Sequence, residues 1–429
     1  MGDSAKQLSP PAFHLCLSVF ICGKMNSFDD ELNLRLAALR EQNLFRELRR
    51  VDSAQGPRIE IGGKNFLNFS SNDYLGLANH PLLKEAAIKA IEKFGVGAGA
   101  SRLVCGSLAP FHELEETLAA FKKTEAALTF STGYAAALGT IYALVGKEDV
   151  VMLDKLVHAS IVDAAKLSGA KLRIFDHNDL NDLEDKLKWA NEKFKSQNPE
   201  AKILVVTESI FSMDGDAAPL REIIALKNKY GAWLMVDEAH ATGIIGENGR
   251  GLASELGVSD QIEIQMGTLG KAFGASGGYI CGSRALVDFL VNRARSFIFS
   301  TAPVPTAAAA ATAAIQIAQS DEGKKLREKL FARINELNSK LPAASKQSED
   351  GKTQNSKFQS AIVPLILGDE NKALNGATKL REQNIFVPAI RYPTVARGAA
   401  RLRVTLTAAH SVDDIAELIH ALKILDLGF

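Results

Sequence analysis

No charge of either sign dominates this chain: 50 lysines and arginines stand against 50 aspartates and glutamates in 429 residues, a formal net charge of zero. Without a global field, neither nucleic acid nor an anionic membrane is favoured as a partner, and any anion must be held by a local arrangement. Cysteine is scarce, at 4 residues, with none in a CxxC pair. That excludes a disulfide framework, gives no sign of a metal site and fits a reducing cytoplasm. Cys105 and Cys281, in glycine-rich or apolar surroundings, read as buried thiols. No apolar run reaches the ~20 residues that a membrane-crossing helix needs. The nearest approach is the segment 12–23 (AFHLCLSVFICG), preceded by Lys6. No clean small-x-small cleavage site follows it, and Met25 opens a more ordinary amino terminus, so residues 1–24 are expected to be a disordered leader or a misassigned start.

What is present is the composition of a globular chain, 46% apolar and 23% charged, long enough for two domains. Leu32, Leu36, Leu39, Leu44 and Leu48, with charges between them, predict one amphipathic helix over 29–51. A short strand running into a polar turn follows at 65–76. Short apolar strands at 126–130, 149–153, 172–175, 202–207, 233–236, 262–266 and 279–282 then alternate with helical patterns, for example at 134–145, 182–195 and 220–229. That alternation predicts an α/β fold with a mainly parallel, doubly wound sheet. Near residue 301 the pattern changes to an alanine-rich helix, a charged helix, an exposed polar loop at 345–357, and mixed strands and helices. The expected organisation is a leader at 1–24, a helix-and-strand segment at 25–75, a large domain at 76–300 and a smaller α+β domain at 301–429.

Polar residues recur where these strands end, which is where open α/β sheets bind ligands. Lys271 follows a strand in the glycine-flanked turn TLGK; desolvation there lowers a lysine's pKa and makes it a nucleophile toward carbonyls. Asp237, in WLMVDEAH, suits the partner of a pyridinium nitrogen, and His240 follows it within reach of the same ligand. Gly133 and Tyr134, between a strand and a helix, offer the free N–H groups of a phosphate cradle. His158, after VVMLD, can stack on a flat ring, and Glu208 and Ser212 add polar groups at a further strand end. Each residue alone has an ordinary structural reading as a cap, a turn or a solvated lysine. Together they place the demanded chemical types at successive strand ends.

The ordered segments NFSSNDYLGL, GAGASRLVCG, STGYAAA, VVTESIFSMDGD, LMVDEAHATGIIGENGRG, GTLGKAFG and RLRVTLTAAH resemble the α-oxoamine synthase family over about residues 40–425. The resemblance implies a fold-type-I, pyridoxal-phosphate-dependent acyltransferase, homodimeric, with active sites at the subunit interface. It implies Lys271 as the lysine that binds the cofactor, Asp237 at the ring nitrogen and His158 over the ring. Ser212 and His240 are implied at the phenolic oxygen, and Gly133, Tyr134 and Thr268 around the phosphate. Arg391 is implied at the amino-acid carboxylate, with Arg46, Asn72 and Thr394 on the substrate side. The segment 389–410 is most similar to the branch that condenses L-alanine with a pimeloyl thioester, on CoA or an acyl-carrier protein, in biotin synthesis. Synthases that use glycine with acetyl-CoA or succinyl-CoA are the alternatives, and a non-catalytic binding protein of the same fold is the reading from another class. Residues 1–24 have no counterpart in the pattern, Cys105 replaces a small hydroxyl residue, and Tyr392 replaces a proline of that branch. A chain begun at Met25 is expected to match the full chain in cofactor content and rate, measured on the two proteins side by side.

Overall fold

The computed structural model describes residues 27–340, 345–347, 353–355 and 360–425, and it divides into two compact units, residues 1–48 and 49–429. The leader at 1–24 lies outside the described residues. In the first unit, Ser27 caps α1 (Phe28–Glu41) by accepting the Asp30 N–H at 3.1 Å. The helix stops ten residues short of the expected 51 because Asn43 turns left-handed at φ 56°, a conformation asparagine tolerates. Leu44 and Leu48 keep the apolar spacing without keeping the helix.

The second unit opens with β1 (Arg58–Ile61), β2 (Lys64–Asn68), α2 (Pro81–Phe94) and α3 (Ala109–Lys122). Next come β3 (Ala126–Phe130), α4 (Gly133–Leu144), β4 (Val150–Asp154), α5 (Ala159–Ser168) and β5 (Lys171–Phe175). The strands β6 (Ile203–Glu208), β7 (Trp233–Asp237), β8 (Ile264–Thr268) and β9 (Gly278–Gly282) complete a seven-stranded sheet of order β3-β9-β8-β7-β6-β4-β5. The pairings from β5 through β8 are parallel, and β9 alone runs antiparallel to both its neighbours. The mainly parallel doubly wound sheet is therefore present. Side chains alternate along the strands, so Val151, Leu153, Leu204 and Val206 join one core layer and Val150, Met152, Ile203 and Val205 another. Burial on both faces is why these strands read as continuous apolar runs.

The strands extend past their apolar stretches. Asp154, Glu208, Asp237 and Thr268 are the last residues of β4, β6, β7 and β8, and Glu208 pairs in register with Asp237. The expected strands ended at 153, 207, 236 and 266, whereas the backbone ladder continues one or two residues further, through the polar residue.

Beyond the large sheet lie β10 (Ser345–Gln347) and β11 (Thr353–Asn355), an antiparallel pair within the stretch expected to be a loop. They are followed by β12 (Ile362–Gly368), β13 (Ile385–Phe386), β14 (Ala389–Ile390) and β15 (Ala400–Thr405). Strands β12, β15 and β14 form an antiparallel sheet, and β13 joins β1 and β2. Cys281 is buried as expected, but Cys105 is exposed, because it lies in a turn whose residues Leu103 and Val104 are exposed as well. Among the described residues, no helix is long and apolar enough to cross a membrane.

A buried ion pair anchors the chain beside Asp237. Lys122, at the end of α3, donates from Nζ to Glu238 Oε2 and to the Arg250 carbonyl, both at 2.5 Å. Glu238 Oε1 accepts the Ala253 N–H at 3.0 Å. A Cβ on Gly251, where φ is 117°, would lie 2.4 Å from that carboxylate, so the close approach requires glycine. Lys122→Met leaves a buried carboxylate unpaired and should cost about 3–5 kcal/mol. Adding Glu238→Gln should recover much of that loss, read by urea denaturation of the cofactor-free protein.

Candidate active site

The sheet brings Glu208, Asp237 and Thr268 to one edge, and the turn after β8 returns Lys271 over it. Leu269 N–H donates to Gly277 O at 2.9 Å and Gly274 N–H to Lys271 O at 2.8 Å, which closes this turn. Gly274 adopts φ 60° with its Cα against the backbone of Leu77 and Ala78, where a Cβ would lie 2.3 Å from Ala78 N. Lys271 Nζ lies 2.7 Å from His240 Nε2, and His240 Nδ1 lies 2.6 Å from the Tyr74 hydroxyl. Tyr74 is fully buried and its O–H also reaches Asn72 Oδ1 at 3.3 Å.

Electrostatics make this an unusual lysine. Burial, against the pull of Asp237 and Glu208, brings the Lys271 amine down to about 8, with Arg403 adding to the depression. Near pH 8 about half of such an amine is neutral and nucleophilic. Glu208 is pushed up to about 8, first by burial and then by the Asp237 charge. Burial raises Asp237 too, while Lys271 and the Ala239 N–H, at 2.9 Å, oppose the rise. His240 is lowered well below the usual imidazole range, chiefly by burial and then by Lys271, so it stays neutral. Tyr74, pushed up to about 12 mainly by burial, keeps its proton.

His158 ends the turn after β4 and caps α5, with Nδ1 accepting the Ser160 N–H at 3.2 Å and lying 2.8 Å from Ser160 Oγ. Burial holds its pKa below the usual value; a neutral ring whose Nδ1 accepts carries its proton on Nε2. Ser212 donates its N–H to Glu208 Oε2 at 3.0 Å. Thr132 caps α4 by accepting the Ala135 N–H at 3.0 Å, which leaves the first N–H groups of the helix free for an anion. A Cβ on Gly133 would lie 3.8 Å from Thr268 Cβ, so the start of α4 and the end of β8 converge. Tyr134 is exposed and donates to Asp163 Oδ2 at 2.7 Å. Arg391 and Thr394 sit on the turn after β14, joined by the Thr394 N–H to Arg391 O at 3.0 Å. Arg46 belongs to the first unit.

One residue at the centre escaped the sequence reading. Arg403, on β15, donates from Nε to Ser212 O at 2.8 Å and from Nη1 to Asn72 Oδ1 at 3.1 Å and Thr405 Oγ1 at 3.0 Å. Its Nη2 is buried with no hydrogen-bond partner among the described residues, as is Glu208 Oε1. The available signal was the alternation in RLRVTLT: Arg401 and Arg403 share one strand face inside an otherwise apolar strand, where a charge is costly unless used.

A family model described as aminotransferase class I and II matches residues 64–422. The chain belongs to that family. The 8-amino-7-oxononanoate synthase of Geotalea daltonii is 46% identical over 398 residues, 93% of this chain and 97% of that relative. The enzyme of the same name from Thermoanaerobacter pseudethanolicus is 44% identical over 394 residues, 92% and 96% of the two chains. Among solved structures, a serine palmitoyltransferase from S. paucimobilis with a bound PLP–myriocin aldimine aligns at TM-score 0.83 and 30% identity, covering 92% and 96% of the two chains. An 8-amino-7-oxononanoate synthase from Francisella tularensis aligns at TM-score 0.68 and 30% identity, covering 84% and 96%. The family member described here is a pyridoxal-phosphate-dependent acyltransferase, a biotin-pathway enzyme of fold type I. Its residues fit that cofactor: a depressed lysine amine, an acid at a strand end, a free helix terminus, and the orphaned Glu208 Oε1 and Arg403 Nη2 in the same cluster. Borohydride treatment of the cofactor-loaded protein is expected to fix the cofactor on Lys271, and Lys271→Ala to fold but to take no label. Peptide mass spectrometry reads the position, and a label on any other lysine overturns the assignment.

Proposed function

We propose that this chain condenses L-alanine with a pimeloyl thioester, on CoA or an acyl-carrier protein, to form 8-amino-7-oxononanoate, CO₂ and free thiol. The observation that carries this reading is the depressed Lys271 amine, set between Asp237 and Glu208 and beside a buried guanidinium with a free N–H. That combination suits a substrate that presents an amine and a carboxylate together. Pyridoxal phosphate, when bound, supplies an electron sink for the bond broken at the amino acid's Cα.

Lys271 would hold the cofactor through Nζ, and as a free amine it would take up the substrate's Cα proton there. Asp237 would hold the ring nitrogen and His158 the ring itself. Ser212 and His240 would hold the phenolic oxygen, with Glu208 fixing Ser212. Gly133, Tyr134 and Thr268 would hold the phosphate. Arg391 and Arg403 are the two cations for the substrate carboxylate, where the planar fork of arginine favours paired hydrogen bonds. Arg46, Asn72 and Thr394 complete the substrate side. We further infer a cytoplasmic homodimer, with the cofactor bound mainly by residues 76–300 and with 301–429 as the small domain.

A second reading rests on Tyr392, whose ring lies under the Arg397 guanidinium at 4.4 Å: glycine with succinyl-CoA replaces alanine with pimeloyl-CoA. Thiol release measured for alanine, glycine and serine, each with pimeloyl-, acetyl- and succinyl-CoA, decides between them. Alanine is expected to exceed glycine modestly, about 10- to 200-fold, because one methyl is worth only ~1–3 kcal/mol in a pocket. Glycine with succinyl-CoA outpacing alanine with pimeloyl-CoA would reverse the assignment.

A further inference from the structure

Outside the residues assigned to the cofactor, His177 is held between two carboxylates. It follows β5, with Nδ1 2.9 Å from Asp154 Oδ1 and Nε2 2.9 Å from Asp216 Oδ2. Phe211 closes one side of the ring edge-on, at 4.3 Å between centroids. A neutral imidazole donates from one nitrogen only, so the imidazolium alone satisfies an acidic oxygen at each. Burial opposes that charge, yet the hydrogen bonds to Asp154 and Asp216 prevail and push the ring up to about 9. Two carboxylates act on it, Asp154 from β4 and Asp216 from the loop 209–217. Lys155, on the turn after Asp154, pairs with Asp176 at 3.2 Å.

The two carboxylates belong to two walls of the site. Asp154 also accepts the Leu156 N–H at 2.8 Å and the Asn178 N–H at 2.9 Å, which shapes the turn leading to His158. Asp216 closes the loop 209–217: its carbonyl accepts the Phe211 N–H at 2.9 Å, Phe211 O accepts the Gly215 N–H at 2.8 Å, and Ile210 bridges to Ala217. Ser212 rides on this loop. We propose that His177 is a positioning residue which, as an imidazolium, ties the loop carrying Ser212 to the turn carrying His158 and so fixes two walls of the cofactor pocket. The proposal rests on the reading that Ser212 and His158 face the cofactor.

The sign with pH follows from the raised folded-state value. The clamp contributes fully below the unfolded histidine value of about 6.5 and is lost as pH rises through about 9. The test uses His177→Gln and the double variant His177→Gln/Asp216→Asn, which removes the cation and one of its two counter-charges together. At pH 7.5, pyridoxal phosphate is expected to leave the loaded single variant about ten-fold faster or more, the equivalent of one pKa unit. In cofactor-free protein, the melting temperature of the wild type should fall from pH 7 to 9.5, and that of the double variant should fall less. An equal alkaline slope in the two, or unchanged release from the single variant, overturns the clamp alone. A wild-type chain that binds no pyridoxal phosphate overturns the clamp and the functional reading together.

Discussion

Everything at this site depends on one desolvated amine. Water would hold Lys271 as an ammonium, but burial takes that water away and leaves Asp237 and Glu208 to replace part of its stabilisation. The carboxylates pay in turn: each is raised by burial, and each is relieved by the lysine. A ligand that brings its own charges into the cluster changes all these balances at once. The neutral His240 then acts as a fixed contact for Nζ, held from behind by a tyrosine hydroxyl that keeps its proton.

Such a cluster survives only where the backbone cannot relax around it. The parallel ladder supplies this on one side, since Glu208 and Asp237 are register partners on adjacent strands. The small antiparallel sheet supplies it on the other. Arg401 Nη1 donates to Met213 O at 3.1 Å and Asp214 Oδ1 at 2.8 Å, while Arg403 takes Ser212 O. A Cβ on Gly215, where φ is 72°, would lie 2.5 Å from Ile362 O, so this loop also approaches β12 as only glycine allows. The loop bearing Ser212 is thus gripped from both sheets.

The similarity findings divide along the same physical line. A backbone shared with serine palmitoyltransferase at TM-score 0.83 reflects the sheet and the course of the chain at its strand ends. Substrate choice is a matter of individual side chains, about which fold-level likeness carries little information. The higher sequence identity to the 8-amino-7-oxononanoate synthases is the more direct guide to the biotin pathway.

The sequence by itself determined the sheet, because strands buried on both faces must be apolar and must alternate with helices. It also determined the types of residue at the strand ends, since a nucleophilic lysine, a strand-end acid and a glycine-led helix are local patterns. Strand lengths were only partly legible, as hydropathy stops at Asp154, Glu208 and Asp237 although the ladder runs through them. The end of α1 and the exposure of Cys105 were missed for a similar reason: apolar spacing and glycine content do not report where a chain turns. Only the tertiary structure decided the contacts of Tyr74, His177 and Arg403. Each contacts partners elsewhere in the sequence: Tyr74 and His240 are 166 positions apart, and Asn72 and Arg403 331. No local pattern encodes such a contact; it exists only once the chain has folded and brought the distant segments together.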